Sequence, residues 1–391
     1  MRVLVATTAG AGHLAGVLPF AHACADLGHE VRIAAPASFA LNIQRAGFAH
    51  EPLSDVDPAA LGAVFGRLPT LPRHEANALV IQEVFGRLDT RAALPGMRDV
   101  CQRWKPDVVL REPAELSSYV AARELGIPAV QANIGLSSFD DLVLPLFEEP
   151  LQELGCDPSG LGTGRRWSIL PPTFDLPSKL AAGPVTHARE VPATGAPPEP
   201  LPDWWDGSTD PLVYVTFGSV AAGMGLFPAF YSRVIQQLSG VPVRALLTLG
   251  EAGDPEALGA VPANVHIERW WPQRAVMPDA AVVVGHGGFG TTQSALVAGV
   301  PQVAIPLFSS DQFANAARLQ AVGVGVALTD PGPGQGGTMP AGPESVDGLA
   351  TALVGMLHDE QVRLRSRAIA DEVLTLPSAA DCAAATLAGL Q

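Results

Sequence analysis

Three short motifs in the C-terminal half of the chain combine aromatic, glycine-rich and acidic-amide residues. Trp-Trp-Pro-Gln occupies positions 270–273, Gly-His-Gly-Gly-Phe-Gly-Thr-Thr occupies 285–292, and Asp-Gln occupies 311–312. An indole ring stacks on a flat base, N–H groups at a glycine-rich helix start hold a diphosphate, and a carboxylate with an amide suits a pair of hydroxyls. Together the motifs predict a site for a nucleoside diphosphate sugar.

The glycine-rich motif follows a predicted strand, Ala281–Val284, and opens a predicted helix at about Phe289. The first N–H groups of a helix have no partner within it and lie at the positive end of its dipole. Glycine lets a phosphate approach the backbone closely, while His286 and Thr291 add side-chain donors. An ordinary strand-to-helix turn needs one glycine, so three glycines with a histidine favour a phosphate site.

A second glycine turn, Gly-Ala-Gly-His at 10–13, follows the first predicted strand. An imidazole titrates near neutral pH, which suits His13 to act as a general base; the alternative is a structural histidine. A base works better when a carboxylate holds its other ring nitrogen. Glu112, after the predicted strand Val108–Leu110, is the candidate by register, although Glu112 and Glu115 also suit charges at a helix N-terminus.

Alternating strands and helices must position these residues. Continuous apolar runs predict buried parallel strands at Val3–Ala6, Glu30–Ala35, Val108–Leu110 and Ile127–Val130, and again at Leu212–Phe217, Arg244–Thr248, Val265–Ile267, Ala281–Val284 and Gln302–Ile305. Predicted helices between them, at 14–27, 39–46 and 117–125, give a β-α-β rhythm and hence two doubly wound α/β halves. Ligands of such sheets bind beyond the carboxyl ends of the strands. The motifs all follow strands, so we expect them to share one cleft.

The expected domains are residues 1–200 and 201–391, joined by a Pro/Gly/Ala-rich segment from about 181 to 210. Closing helices are predicted at 353–376 and 379–390, the last packing back on the N-terminal domain, and an exposed loop at 330–343. Residues 58–98 interrupt the alternation of strands and helices. They predict either surface helices over the sheet or a mobile segment that covers the acceptor site.

Composition excludes several functions. A net charge of −15 argues against nucleic-acid binding, and no window approaches the roughly 20 apolar residues of a membrane span. We expect the first residues to form a core strand that enters a glycine turn, and not a signal peptide. Four scattered cysteines fit free thiols in a reducing cytoplasm, which is the expected location.

On these residues the chain resembles the GT-B-fold glycosyltransferases of family 1, especially the bacterial enzymes that decorate antibiotics and other natural products. The resemblance covers essentially the whole chain and is most specific from Trp270 to Gln312. It implies that Trp270 stacks on the base and Trp271 contacts the base edge through its backbone, although both rings also suit a hydrophobic core. It also implies that Asp311 and Gln312 bind sugar hydroxyls from a loop, with a helix cap at Asp311 compatible. The full donor set is Gly12, Ser219, Trp270, Trp271, Gln273, His286, Gly287, Gly288, Gly290, Thr291, Asp311 and Gln312.

One position departs from the family pattern. Plant members carry a glutamate near the start of the glycine-motif helix that holds both ribose hydroxyls, and here Ser294 occupies that register. A 2′-deoxyribose loses little without the carboxylate. We therefore expect thymidine diphosphate (TDP) sugars to be preferred over uridine diphosphate (UDP) sugars.

The implied reaction is a single displacement that inverts the sugar, with His13 and Glu112 as the catalytic pair and an apolar natural product as acceptor. Helix-end N–H groups stabilise the leaving diphosphate, so neither a metal nor another cofactor is expected. The predicted acceptor residues are Phe65, Phe85, Phe139 and Asp140, with Asp140 in a loop. The alternatives are a nucleotide-sugar epimerase and a non-catalytic helper protein, and the sequence leaves a homodimer open.

Overall fold

The computed structural model describes residues 1–190, 201–328 and 341–390, which divide into two compact α/β units. The first unit comprises residues 1–71, 75–190 and 375–390, and the second comprises 72–74, 201–328 and 341–374. The middle third of the predicted linker (191–200) and most of the predicted exposed loop (330–340) lie outside the described residues. No described helix is long and apolar enough to cross a membrane.

The first unit is built on a parallel sheet of seven strands in the order β3-β2-β1-β4-β5-β6-β7. Val3 in β1 lies opposite Val31 on one side and Val108 on the other, and Val3 through Ala6 are buried because helices cover both faces. The strands are β1 (Arg2–Ala6), β2 (Glu30–Pro36), β3 (Ala49–Leu53), β4 (Val108–Arg111), β5 (Ala129–Ala132), β6 (Arg165–Ser168) and β7 (Val185–His187).

The segment 58–98, which interrupts the predicted alternation of strands and helices, consists mainly of helices. It includes a ten-residue π-helix, Val80–Asp89, that continues directly into the next α-helix. The helices up to this sheet's end are α1 (Ala11–Asp26), α2 (Ala40–Arg45), α3 (Pro58–Phe65), α4 (Arg73–Leu79), α5 (Thr90–Trp104), α6 (Ser117–Leu125) and α7 (Asp140–Glu153).

The second unit has a parallel sheet of six strands in the order β10-β9-β8-β11-β12-β13. Phe217 packs edge-to-face on Phe230, with ring centroids 4.7 Å apart, in a core between this sheet and the helices. Its elements are β8 (Leu212–Thr216), α8 (Ala229–Leu238), β9 (Arg244–Thr248), β10 (Val265–Glu268), α9 (Gln273–Val276), β11 (Ala280–Gly285), α10 (Phe289–Ala298), β12 (Gln302–Ala304), α11 (Ser310–Val322), β13 (Gly325–Ala327), α12 (Leu349–His358) and α13 (Glu360–Thr375).

The last helix, α14 (Ala379–Ala388), belongs to the first unit and packs on α1. A capping box starts it, in which Ser378 and Asp381 satisfy each other's backbone N–H groups. The indole of Trp167 in β6 donates to the hydroxyl of Thr386, 3.2 Å away.

Several elements differ from the sequence-based expectation. Strands β3, β6, β7 and β13 were not predicted, since each has only three to five residues and no distinctive pattern. β7 lies inside the segment expected to be a linker. The single closing helix expected over 353–376 is broken at Asp359, whose carboxylate caps α13 by accepting from the N–H groups of Gln361 and Val362.

Candidate active site

His13 lies in the first turn of α1, not in the loop before it. Gly10 is the helix N-cap, with an extended backbone, and the helix begins at Ala11. A Cβ on Gly10 would lie 2.7 Å from Cδ2 of His13. The glycine therefore gives the imidazole room to fold back over the turn.

The structure brings His13 and Glu112 together. Nδ1 of His13 lies 3.1 Å from Oε1 of Glu112. The Glu112 carboxylate also accepts from the backbone N–H groups of Thr8 (3.2 Å) and Ala114 (2.6 Å). The Glu112 side chain is fully buried, whereas 24% of the His13 side chain is exposed.

These contacts set the protonation of the pair. Burial alone would raise the pKa of Glu112, but His13, the Ala114 N–H and Arg111 outweigh it and hold that pKa below its usual range. An ionised carboxylate only accepts hydrogen bonds, so this contact suits a neutral imidazole with its proton on Nδ1 and its lone pair on Nε2. That is the tautomer a general base needs.

Arg111 braces the loop that carries Glu112. Its buried guanidinium donates to the carbonyls of Glu115 (2.9 Å) and Pro113 (2.8 Å) and to Oε1 of Gln131 (3.0 Å). Glu115 accepts from the hydroxyl of Ser117 and the N–H of Ser118 at the start of α6. The helix-terminal interpretation therefore holds for Glu115, while Glu112 pairs with His13.

The first sheet explains why these residues meet. Its strand order reverses between β1 and β4, and His13 follows β1 while Glu112 follows β4. Chains leave such a switch point in opposite directions and open a crevice at the carboxyl ends of the strands, where α/β proteins bind ligands.

The second sheet repeats this arrangement between β8 and β11. Gly218 and Ser219 follow β8, and the glycine motif follows β11 and starts α10 at Phe289, as predicted. Gly287 has φ +78°, and a Cβ there would lie 2.7 Å from the carbonyl oxygen of Gln312. A side chain at this position would be strained and would also clash.

His286 packs within this turn. A Cβ on Gly288 would lie 2.4 Å from Nε2 of His286, and one on Gly218 would lie 3.1 Å from it. Burial lowers the pKa of His286 to about 4, against a smaller opposing effect of the Thr216 backbone. The imidazole is therefore neutral at pH 7 and has one N–H to donate.

The two adjacent tryptophans have different environments. Trp270 is 70% exposed, so the core interpretation is wrong for this ring. Trp271 is half-buried and packs edge-on against Trp204, with centroids 4.9 Å apart, and Trp204 in turn stacks on His266 at 3.9 Å. Gln273 donates to the hydroxyl of Thr291 at 3.0 Å, which links the aromatic motif to the glycine motif.

Asp311 and Gln312 lie in the first turn of α11 and not in a loop. Ser309 donates its hydroxyl to Asp311. Gln312 is buried, and its side-chain oxygen accepts from the N–H groups of Leu307 (2.9 Å) and Phe308 (3.1 Å). That oxygen thus holds the chain after β12.

The predicted acceptor residues have different environments. Phe85, on the π-helix, lies 5.4 Å from the His13 ring. Phe65 is 45% exposed at the end of α3, and Phe139 packs against the core before α7. Asp140 begins α7, is buried, and pairs with Arg166 at 2.7 Å. Its position in α7 corrects the predicted loop placement, and the ion pair holds its carboxylate in the interior.

Comparisons with known proteins agree with this geometry. Models of the erythromycin biosynthesis protein CIII-like family match residues 22–218 (N-terminal domain) and 232–388 (C-terminal domain). The chain belongs to this family.

Individual relatives and a solved structure agree with the family match. Aklavinone 7-beta-L-rhodosaminyltransferase of Streptomyces galilaeus is 29% identical, covering 94% of this chain and 92% of the relative. Elloramycin glycosyltransferase ElmGT of Streptomyces olivaceus is 30% identical, covering 98% and 96%. The glycosyltransferase SsfS6 of Streptomyces sp. SF2575, solved with thymidine diphosphate, has a TM-score of 0.74 and 26% identity over 99% of each chain. This member of the CIII-like family is therefore a GT-B glycosyltransferase of antibiotic and natural-product biosynthesis.

Sequence reasoning missed three residues that hold the sites of this glycosyltransferase in place. Arg111 braces the Glu112 loop, Asn315 donates to the Gly287 carbonyl at 2.8 Å, and Trp204 supports Trp271. Arg111 directly precedes Glu112, whereas Asn315 and Trp204 lie outside the motifs. The partners of all three are distant in sequence or use backbone atoms. No local pattern signals such a contact. The described residues contain no group of three or more His, Cys, Asp or Glu side chains placed to hold a metal ion.

Proposed function

We propose that this enzyme is an inverting glycosyltransferase that moves a sugar from TDP to an apolar natural-product aglycone, with His13 as the general base. The observation that carries the proposal is the 3.1 Å contact between Nδ1 of His13 and the buried carboxylate of Glu112. It supports a neutral imidazole with a lone pair on Nε2, next to the aromatic side chain of Phe85.

The proposed reaction is one displacement. Nε2 of His13 takes the proton of the acceptor hydroxyl, and the acceptor oxygen attacks the anomeric carbon as the bond to the diphosphate oxygen breaks. The nucleoside diphosphate leaves from the opposite face, so configuration inverts. N–H groups at the start of α10, with neutral His286, stabilise the charge on the leaving diphosphate, and no metal is needed for that role.

The preference for thymidine is supported by one residue of this chain and by two relatives. Ser294 lies in α10, where it offers a hydroxyl in place of the carboxylate that would hold both ribose hydroxyls. The SsfS6 structure contains thymidine diphosphate, and a TDP-daunosamine transferase of Streptomyces peucetius is 27% identical to this chain. The exposed ring of Trp270 is the proposed stacking surface for the base.

His13→Ala tests the mechanism. We expect sugar transfer to fall by about 10²- to 10⁴-fold while TDP binding, measured by calorimetry, stays within twofold. His22→Ala is the matched control, because His22 lies on the same helix and packs on Phe48; it should leave transfer intact. The substrates come from a mass-spectrometric screen of TDP- and UDP-sugars against a panel of aglycones.

Each alternative predicts another outcome. An epimerase would change the sugar of the nucleotide without any aglycone, and a helper protein would show no transfer by itself but would stimulate a second enzyme. Transfer that persists in His13→Ala would overturn the proposed base.

A further inference from the structure

A small cavity lies at the carboxyl edge of the first sheet, beside the Glu112 loop. Its volume is about 20 Å³, which is room for about one water molecule. Its lining residues include Thr8, Leu53, Asp89, Ala93, Ala114 and Glu115. Two of them, Thr8 and Ala114, are the residues whose N–H groups hold the Glu112 carboxylate. The cavity is thus built around the support of Glu112 at the switch point of the sheet.

Thr8 gives the cavity a polar atom without a partner. The residue is only 5% exposed, and its hydroxyl oxygen makes no hydrogen bond among the described residues. A buried hydroxyl without a partner costs about 1–3 kcal/mol. A hydrogen-bond donor or a bound water in the cavity would give the Thr8 hydroxyl a partner.

Three carboxyls surround this region, and the structure supports them unequally. Glu112 has the Thr8 and Ala114 N–H groups and His13. Glu115 has a hydroxyl and an N–H. Asp89, at the end of the π-helix, makes no side-chain hydrogen bond to any described residue. Hydrogen bonds to a carboxylate favour its charged form, and nearby like charges disfavour it. Of the three carboxyls, Asp89 is therefore the one whose ionised form is least stabilised.

Among the described residues, no Lys or Arg side chain forms an ion pair with Asp89, and the charge of His13 favours its ionised form. The π-helix carries two more charged residues, Glu83 and Arg87, and Arg87 pairs with Glu83 and with Glu149 and Glu153 of α7. The parts of β2, β3 and α5 that line the cavity bring no charge. Burial, and after it the charge of Glu112, raises the pKa of Asp89 to about 7; His13 opposes this and Glu115 adds to it.

We propose that Asp89 is a positioning residue of the base site, whose uncharged carboxyl beside the Glu112 loop leaves Glu112 as the ionised partner of His13. The protonated carboxyl also brings a donor to the cavity that holds the unpartnered Thr8 hydroxyl. When Asp89 ionises, its charge repels Glu112 and Glu115 in a poorly solvated region. This loosens the loop that orients His13. The proposal rests on the proposed role of His13.

The protonation state of the Asp89 carboxyl is measured between pH 5 and 9 by NMR of the full chain labelled with [13Cγ]aspartate. Asp89→Asn identifies the Asp89 signal by its loss, and Asp89→Glu serves if the first variant does not fold. We expect the Asp89 carboxyl to titrate with a midpoint near pH 7 in the wild type. The midpoint should be lower in Glu115→Gln, because this variant removes a negative charge that repels ionised Asp89. A wild-type midpoint below pH 5 would overturn the proposal.

The role is tested by the pH dependence of TDP release from TDP-glucose, with water as the acceptor. In the wild type, kcat/KM should fall about tenfold per pH unit above 7, or roughly 100-fold by pH 9, while Asp89→Asn should stay flat within twofold. Asp99→Asn, an exposed aspartate of α5 paired with Arg103, should keep the wild-type fall. An equal fall in Asp89→Asn overturns the proposal, as does loss of the fall in Glu115→Gln with Asp89 present.

The two proposals fail in different ways. If sugar transfer were absent throughout the substrate screen, or did not depend on His13, the proposed function would fail, yet the carboxyl titration would still locate the proton. If release depended on His13 but not on the state of Asp89, only the role of Asp89 would fail.

Discussion

The buried imidazole of His286 makes the stability of the second unit depend on pH. The pKa of His286 is about 4 in the folded chain, against 6.5 for an ordinary histidine. The unfolded chain therefore binds a proton at a higher pH than the folded chain does, and stability falls as the pH drops from 6.5 toward 4. At pH 8 neither state is protonated. At pH 5.5, which is above the isoelectric point of about 4.9, the difference amounts to about 1.4 kcal/mol.

His286→Gln removes this titration while keeping a polar side chain of similar reach. Unfolding in urea is followed by tryptophan fluorescence, since Trp204, Trp205, Trp270 and Trp271 lie in the second unit. Relative to the wild type, the variant should gain about 1.4 kcal/mol of unfolding free energy between pH 8 and pH 5.5, or roughly 3–6 °C in Tm for a unit of this size. Carboxylates titrate in both proteins and cancel in the comparison. A stability difference that is the same at both pH values would refute a buried neutral imidazole.

Four further outcomes are expected. Glu112→Gln should lower kcat by about 10²- to 10⁴-fold with little change in TDP affinity, because an amide does not keep Nδ1 of His13 as the donor; near-normal kcat would contradict the pairing. Trp270→Ala should weaken TDP binding by about 1–3 kcal/mol in calorimetry, with Trp270→Phe in between, whereas equal affinities would exclude stacking. TDP should bind at least as tightly as UDP in competition titrations, and a tenfold advantage for UDP would count against the role of Ser294. Treatment with a chelator should leave turnover within twofold, and a strict Mg²⁺ requirement would contradict metal-free departure of the diphosphate.

Much of the fold could be predicted because parallel strands are buried on both faces. The runs at Val3–Ala6 and Ala281–Val284 are apolar throughout and are bounded by glycine turns, so their positions follow from local physics. Short strands such as β7 carry no such run. They form because a neighbouring strand offers hydrogen bonds: β7 pairs with β6 although it lies in a segment rich in Pro, Gly and Ala.

The candidate site divides in the same way. The glycine turns that carry His13 and His286 were recognisable, since glycine spacing and strand ends are local features. Asp140 looked like a polar group available to an acceptor, but Arg166, 26 residues away, pairs with it in the interior. Gln312 looked like a ligand for sugar hydroxyls, and the folded chain uses its oxygen to hold the backbone after β12.

The sequence by itself determined the kinds of chemistry present: an imidazole after the first strand, a phosphate-binding turn after β11, and an aromatic pair before it. Only the tertiary structure decided which groups are charged and which are supported. Glu112 and Glu115 are three residues apart and chemically identical, yet one meets His13 and the other caps α6. The physical reason is that a pKa depends on burial and on neighbours within a few ångströms, and those neighbours come from strands and helices far apart in the chain.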